Sequence, residues 1–451
     1  MGRITLRQAA AWCGGSIDPK YADITFLGAN NDSRKIEPGQ LFVALVGERD
    51  GHDYIPSAVR NGASAVLCSH CDVDFPAIIV ENPLKALGDI ARQERLSLGM
   101  KVVGVTGSVG KSTTKELISC VLGAKYRVAK TPANHNNDIG MPMAILAMPE
   151  DTEVAVIEMG MNHFREIAYL SSISQPDMAV IINIGTMHIE HLGSQEGILQ
   201  AKLEILEGMK PQSPIFLNGD DKLLWGVREK IAAPVTYFGN NNSCSQLVAA
   251  DARQTEEGLC FDVMAGEQRF PVRLNLEGEH YILDAMAAVA VGMHLGVTPE
   301  QIADRLLAFR NLAGRQEIFE QKGYTIIKDC YNAGPESMAA ALAVLGNKTG
   351  RRIAVLGDML ELGDRAPQEH ERIGRIAAQK AQLLLAYGPN SKCVVSGAAE
   401  AGMVDAFGFD DRDALVTKLK ELARPGDVLL FKGSHGMHME LALERFLQDE
   451  T

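Results

Sequence analysis

The stretch KVVGVTGSVGKSTTKEL, residues 101 to 117, runs from an apolar β-branched segment through two glycines into a helix-compatible segment. The first segment reads as a buried strand and the part from Lys111 onward as a helix. Between them Gly107, Ser108, Val109 and Gly110 form a loop whose glycines let backbone N–H groups close around phosphate oxygens. The helix N-terminus adds its positive dipole end. Lys111 is placed to reach the outer phosphates, and Ser112 or Thr113 to meet Mg²⁺. The spacing is not the usual G-x4-G-K-[ST], because Val105 stands where that pattern has its first glycine, so the loop is shorter. A glycine turn with an exposed lysine is the bland alternative. Strand, glycines, lysine, hydroxyls and helix agree against it.

Working outward, EVAVIEMG, MAVIINIG and PIFLN are further apolar strands, separated by helical stretches near Arg165 and from Ser194. This alternation predicts an α/β fold with a doubly wound, mostly parallel central sheet carrying the phosphate loop. A more polar stretch, 240–273, reads as an interruption, after which helices return between His280 and Phe309. Upstream, residues 1–82 hold short runs such as Leu41 to Leu45 and predict a small α/β domain, with the break at Glu81-Asn82-Pro83 and a bridging helix from Leu84 to Leu98. Downstream of Gly314-Arg315, YTIIKD, IAVLGDM, LLLAYG and DVLLFKGS repeat the strand and helix alternation, a Rossmann-like α/β domain. The expected domains are 1–82, 83–313 and 314–451, which suits 451 residues at about 100 to 200 per domain.

With 46% hydrophobic and 22% charged residues the composition is that of a globular protein. A net charge of -13 excludes the broad basic face that nucleic acid needs, while leaving room for polyphosphates bound by local cations. The first residues lack a signal-peptide pattern and no run approaches about 20 apolar residues, so a cytoplasmic protein with no membrane partner is expected. Eight scattered cysteines fit a reducing compartment. Cys68-Ser-His-Cys71 lacks the second pair of a zinc site and reads as two thiols ending a strand, Ala63 to Leu67.

Glu158 ends the strand of AVIEMG on the edge where the phosphate loop emerges, and a phosphate loop needs an acid for Mg²⁺. His188 follows the next strand and faces the same edge. With His191 it makes H-x-x-H, but the H-E-x-x-H zinc pattern is absent. Lys202 lies in a helical stretch, where a surface lysine is the default.

Taken together, TGSVGKSTTKE, DSRKIEPGQLFVAL with GHDYI, ANHNNDIGMP, EMGMNHFREI, HLGSQEGILQAKLEI, LNGDD, DCYNAGPESM, LGDMLELG and KGSHGMHME resemble, in order and spacing, the Mur ligases of peptidoglycan synthesis. They are most similar to the branch that adds D-alanyl-D-alanine to a UDP-linked muramoyl tripeptide. The resemblance implies three domains, ATP and Mg²⁺, and an acyl phosphate formed from the tripeptide carboxylate and attacked by the dipeptide amine. It implies soluble small-molecule substrates and a monomer. It makes Ser112, Glu158 and His188 magnesium-site residues and Lys202 a carbamylated lysine that binds a second metal. Asn134 and Asn137 become nucleotide-side residues of the cleft, and Asn136, Asn162 and His163 substrate-side residues. Ser33 and Arg34 meet the UDP part, where an arginine fork suits diphosphate. His280 and Asp284 fall where the family reads adenine, Arg315 at the domain junction, and Asp329, Tyr331 and Asn332 in the nucleotide-contacting segment.

This sequence departs from the family at Asp284, where asparagine is usual, and at Phe164, Arg165, Gly334 and His435. An acyl phosphate needs shielding from water, so rotation of 314–451 onto the cleft is expected. Two rivals are another amino-acid ligase of the same superfamily and a regulatory P-loop NTPase; the latter leaves Lys202 and the N-terminal segment without a role.

Overall fold

A computed structural model describes residues 4–448; the first three and last three residues, which belong to the expected first and third domains, lie outside it. Among the described residues nine strands make the central sheet, in the order Gln268–Leu274, Gly258–Ala265, Leu247–Thr255, Val235–Gly239, Ile215–Asn218, Met178–Ile181, Lys101–Thr106, Val154–Glu158, Val128–Lys130. Pairing is parallel from Val128–Lys130 as far as Leu247–Thr255 and antiparallel beyond.

The polar stretch 240–273 therefore does not interrupt the sheet. It extends it as a meander, because alternating residues such as Leu259, Phe261 and Val263 cover the core while their neighbours face outward. Strict alternation also explains why the central strands read as continuous apolar runs. Val103 and Val105 join the core beneath helices Lys111–Leu122 and His280–His294, whereas Val102, Ala155 and Ile157 join the core on the other face. Both faces are buried, so both residue sets are apolar.

That second core continues without a break into the N-terminal residues. Ile4, Phe26, Leu41 and Leu67 share it with Ile157 and Ile181, and helix Pro83–Leu98 lies between them. The N-terminal strands Ala29–Asn30, Leu41–Val43, Ala65–Cys68 and Ala77–Ile79 form a parallel sheet of their own. Cys68 is buried at the end of its strand, and burial with the adjacent Cys71 pushes its thiol up to about 12.

In the C-terminal sheet the order is Glu317–Gln321, Tyr324–Asp329, Val428–Lys432, Arg352–Gly357, Leu383–Tyr387, Ala406–Phe409. The four expected strands occupy its middle. Both edge strands, Glu317–Gln321 and Ala406–Phe409, escaped the sequence reading, since they are short and only partly buried and carry little apolar periodicity.

Register is what builds the site. Val105 pairs with Glu158 and Thr106 with Ile181, so three neighbouring parallel strands end at one level and release the loops that begin at 107, 159 and 182 onto the same edge.

Candidate active site

A cavity of about 830 Å³ opens at this edge, between the central sheet and the C-terminal domain. Ser108 to Thr113 line one wall. Gly110 caps helix Lys111–Leu122 at φ 84, a conformation that favours glycine, and a Cβ there would meet Asp284 Oδ1. Gly107 does not line the cavity. Its α-carbon faces Ile182, where a Cβ would come within 3.1 Å, so this glycine allows the loop to lie against the next strand.

Asn183 holds the loop in shape. Its Oδ1 accepts from the N–H groups of Ser108 and Val109 at 3.0 and 2.9 Å, and its Nδ2 donates to the Val109 carbonyl at 2.9 Å. The side chain lies at the end of the strand in NIGTMHIEH, and its position after an apolar run was the available signal. Lys111 Nζ donates to the carbonyls of Gly107 and Ser108 at 3.0 and 3.2 Å. Burial, with the charge of Arg315, lowers its pKa against the opposing pull of Glu158. A cation held over its own loop in a cleft is a ready counter-charge for an anion entering the same space.

Glu158 is 2% exposed; its Oε1 accepts from Asn136 Nδ2 at 2.9 Å, while Oε2 is buried without a hydrogen-bond partner. Lys115, also buried, sits 3.7 Å from that oxygen and donates to the Thr131 carbonyl. Sequence reading passed over Lys115, since a helical lysine looks solvent-facing until the neighbouring strands are placed. Lys202 ends helix Gln195–Leu203 and is 2% exposed, against the surface default. Burial, with the nearby positive charge of Lys111, holds its amine well below the usual lysine value. His188 lines the cavity, and its Nδ1 lies 2.6 Å from Glu361 Oε2. Among the described residues no three His, Cys, Asp or Glu side chains form a ready metal cage, so His188 and His191 do not make a zinc site with a third ligand.

On the opposite wall Arg315 donates to Ser112 Oγ at 2.9 Å and stacks 4.0 Å over the Tyr331 ring. Asp329 accepts from the buried Lys432 Nζ at 2.7 Å, and the same amine donates to the Asn332 carbonyl. His280 stands exposed on the cavity wall, where crowding by neighbouring atoms lowers its imidazole below the usual value. Asp284 accepts from Thr114 Oγ1 at 2.9 Å, and burial pushes its carboxyl up from 3.8 to about 7, with the Thr114 bond and Arg315 pulling the other way.

Since the fold disfavours the ionised form, the stability linked to Asp284 is fully present below about pH 4 and is lost as pH rises through about 7. Asp284→Asn keeps the shape and removes that loss. Its melting temperature should match that of the parent chain near pH 4 and exceed it near pH 8, by the equivalent of at most about 4 kcal/mol. An equal difference at both pH values counts against this account.

Asn134, Asn136, Asn137 and Asn162 line the cavity, with Asn137 Oδ1 accepting from the Gly140 N–H at the start of helix Gly140–Leu146. Like Gly107, Lys202 is not among the residues lining the cavity, and three further expected site residues lie away from it. His163 is exposed, 3.2 Å from Glu166 and with its ring 4.5 Å from that of His191. Ser33 is buried in the N-terminal module, its carbonyl accepting from Asn61. Arg34 spends its fork on Asp32, at 2.9 and 2.8 Å, a pairing local to a turn. Two acids of the C-terminal domain, Glu336 and Glu361, reach the loop after Ile181 and were missed, because only the docking of that domain reveals them.

Three family models match in order along the chain: the Mur ligase family catalytic domain over residues 23–95, the Mur ligase middle domain over 105–292, and the Mur ligase glutamate ligase domain over 314–435. The UDP-N-acetylmuramoyl-tripeptide--D-alanyl-D-alanine ligase of Bacillus subtilis is 39% identical, covering 97% of this chain and 96% of its own. The Escherichia coli protein of the same name is 35% identical, covering 99% of both. Among solved structures, MurF from Acinetobacter baumannii superposes with a TM-score of 0.90 at 30% identity over 99% of both chains. Thermotoga maritima MurF in complex with ADP gives 0.83 at 30% identity, covering 93% of this chain and 97% of that one. With three family models in order along the chain and relatives 35 to 39% identical over nearly its whole length, the chain belongs to the Mur ligase family.

Proposed function

We propose that this chain is an ATP-dependent ligase that joins D-alanyl-D-alanine to the terminal carboxylate of UDP-N-acetylmuramoyl-tripeptide. The observation that carries the reading is the convergence of Lys111, Glu158 and the buried Lys202 on one sheet edge roofed by a second nucleotide-fold domain. Full-length similarity to proteins named for that reaction selects the substrates.

ATP fits the cleft by its cradle: the Gly110 turn, the helix N-terminus and the Lys111 amine. Magnesium fits the orphaned Oε2 of buried Glu158, with the Ser112 hydroxyl and His188 on the same cavity wall. Bound there, it would neutralise charge shared by the β- and γ-phosphates. Carboxylate and triphosphate repel each other, and Lys111 with the loop N–H groups offsets that repulsion as the carboxylate oxygen attacks the γ-phosphorus and ADP leaves. The amine then attacks the acyl phosphate, phosphate departs, and the ammonium proton is lost to solvent or a site base. Covering the cleft with residues 314–451 keeps water from the acyl phosphate. We place Ser33 and Arg34 at the distant UDP end, which requires Arg34 to exchange Asp32 for diphosphate. The same reading has the enzyme acting as a cytosolic monomer on soluble substrates.

Incubation with Mg-ATP, UDP-N-acetylmuramoyl-tripeptide and D-alanyl-D-alanine should yield a UDP-linked pentapeptide by mass spectrometry, one ADP per product. ATP turnover that is indifferent to both peptides would sink the reading in favour of a nucleotide switch.

A further inference from the structure

Two carboxylates of the C-terminal domain grip the same loop of the central domain. Glu336, in the first turn of helix Pro335–Gly346, accepts with Oε1 from both the backbone N–H and the hydroxyl of Thr186, each at 2.9 Å. Glu361 sets Oε2 2.6 Å from Nδ1 of His188, a close ion-pair contact in which the ring N–H is not aligned as a hydrogen-bond donor. Both His188 and Glu361 have φ of 62, a left-handed conformation that non-glycine residues keep only where the surroundings enforce it. The surroundings here do. Ser434 accepts from the Leu360 N–H at 2.9 Å and donates to the Ala333 carbonyl at 3.1 Å, tying the Glu361 loop to the loop that precedes Glu336. Gly363 lies against the Glu190 side chain, in the short helix that follows His188.

We propose that Glu361 is a positioning residue that sets the imidazole of His188, so that the cation-binding side of the central domain is completed only when the C-terminal domain is docked. This rests on the reading of His188 as a metal-site residue. An imidazole can carry its proton on either nitrogen. A carboxylate beside Nδ1 favours the tautomer with its proton on that nitrogen, limits ring rotation, and leaves the Nε2 lone pair for a cation. Because the carboxylate comes from another domain, the ring is locked by domain closure and not by the fold of the central domain alone. Glu361 thus links shielding of the acyl phosphate to readiness of the metal site, and neither Glu158 nor Lys202 can do this from within the central domain.

The test uses the full chain and Mn²⁺ as the probe, with affinity read by electron paramagnetic resonance in the presence of a non-hydrolysable ATP analogue. Glu361→Ala should weaken Mn²⁺ binding about 10-fold and raise the KM for Mg²⁺ in step. Glu361→Gln, which keeps an oxygen beside the same ring nitrogen, should restore most of that affinity. Glu336→Ala removes the other grip without touching His188 and should weaken Mn²⁺ binding less than Glu361→Ala does. Equal weakening by Glu336→Ala, or no weakening by Glu361→Ala, overturns the proposal. His188→Ala separates the two claims. If it leaves Mn²⁺ affinity unchanged, the metal reading of His188 fails and the proposal with it; if it weakens binding while Glu361→Ala does not, only the positioning role falls.

Discussion

Lys111→Met is expected to lower kcat/KM for ATP-dependent ligation about 10³-fold, or roughly 4 kcal/mol of transition-state stabilisation. The amine is half-buried, held by carbonyls of its own loop, and Glu158 with Glu361 opposes its loss of basicity. In the reaction the carboxylate approaches a triphosphate, and this cation is the one the phosphate loop itself supplies. Methionine matches its length without its charge. Stability should move the other way: removing a partly desolvated ammonium from a half-buried position leaves the melting temperature unchanged or raises it. The two readouts together separate function from folding. A loss of less than about 10-fold in steady-state phosphate release would remove Lys111 from the chemistry.

Lys202→Met should be comparably severe, about 10³-fold in kcat, by a different route. The Lys202 amine is 2% exposed and depressed well below the usual lysine value by burial and by Lys111. Lowering the pKa favours the neutral amine, and neutral amine is what reacts with CO2. One N–C bond forms and one proton is released, giving a carbamate anion near the positive charge of Lys111. Carbamylation turns an anomalous buried amine into a carboxylate of the kind a second cation requires. With ¹³C-bicarbonate the parent chain should show a carbamate resonance that Lys202→Met lacks. Acidification should erase it as the amine is protonated. A parent chain with full activity after exhaustive CO2 removal would exclude this chemistry.

Much of the site was legible because its logic is local. The strand, glycines and helix around Lys111 need only their neighbours in sequence to be read, and Glu158 and His188 follow from the rule that adjacent parallel strands release their loops at one edge. The residues that escaped are those whose role depends on a partner far along the chain. Lys115 looks like a surface lysine of helix Lys111–Leu122 until Thr131 and Glu158 are packed beside it. Glu336 and Glu361 belong to a domain that begins more than a hundred residues after the loop they grip. Asp284 illustrates the reverse case. Its departure from the family asparagine was visible in sequence, but only burial against Gly110 and Thr114 shows that its carboxyl is poised near neutrality.

The sequence by itself determined the α/β class, the mostly parallel central sheet, the phosphate loop and the family, because period-2 and helical patterns and a ten-segment motif order are properties of the linear chain. Tertiary structure alone decided three things. It joined the N-terminal residues and the central sheet in one continuous core. It turned the polar stretch after residue 240 into sheet, through antiparallel pairing between segments that are individually weak. It also buried Lys202 beside Lys111, which no pattern in a nine-residue helix announces. The physical reason is common to all three. Periodicity reports which face of an element is apolar, whereas desolvation and charge proximity are set by what packs against that face from elsewhere in the chain.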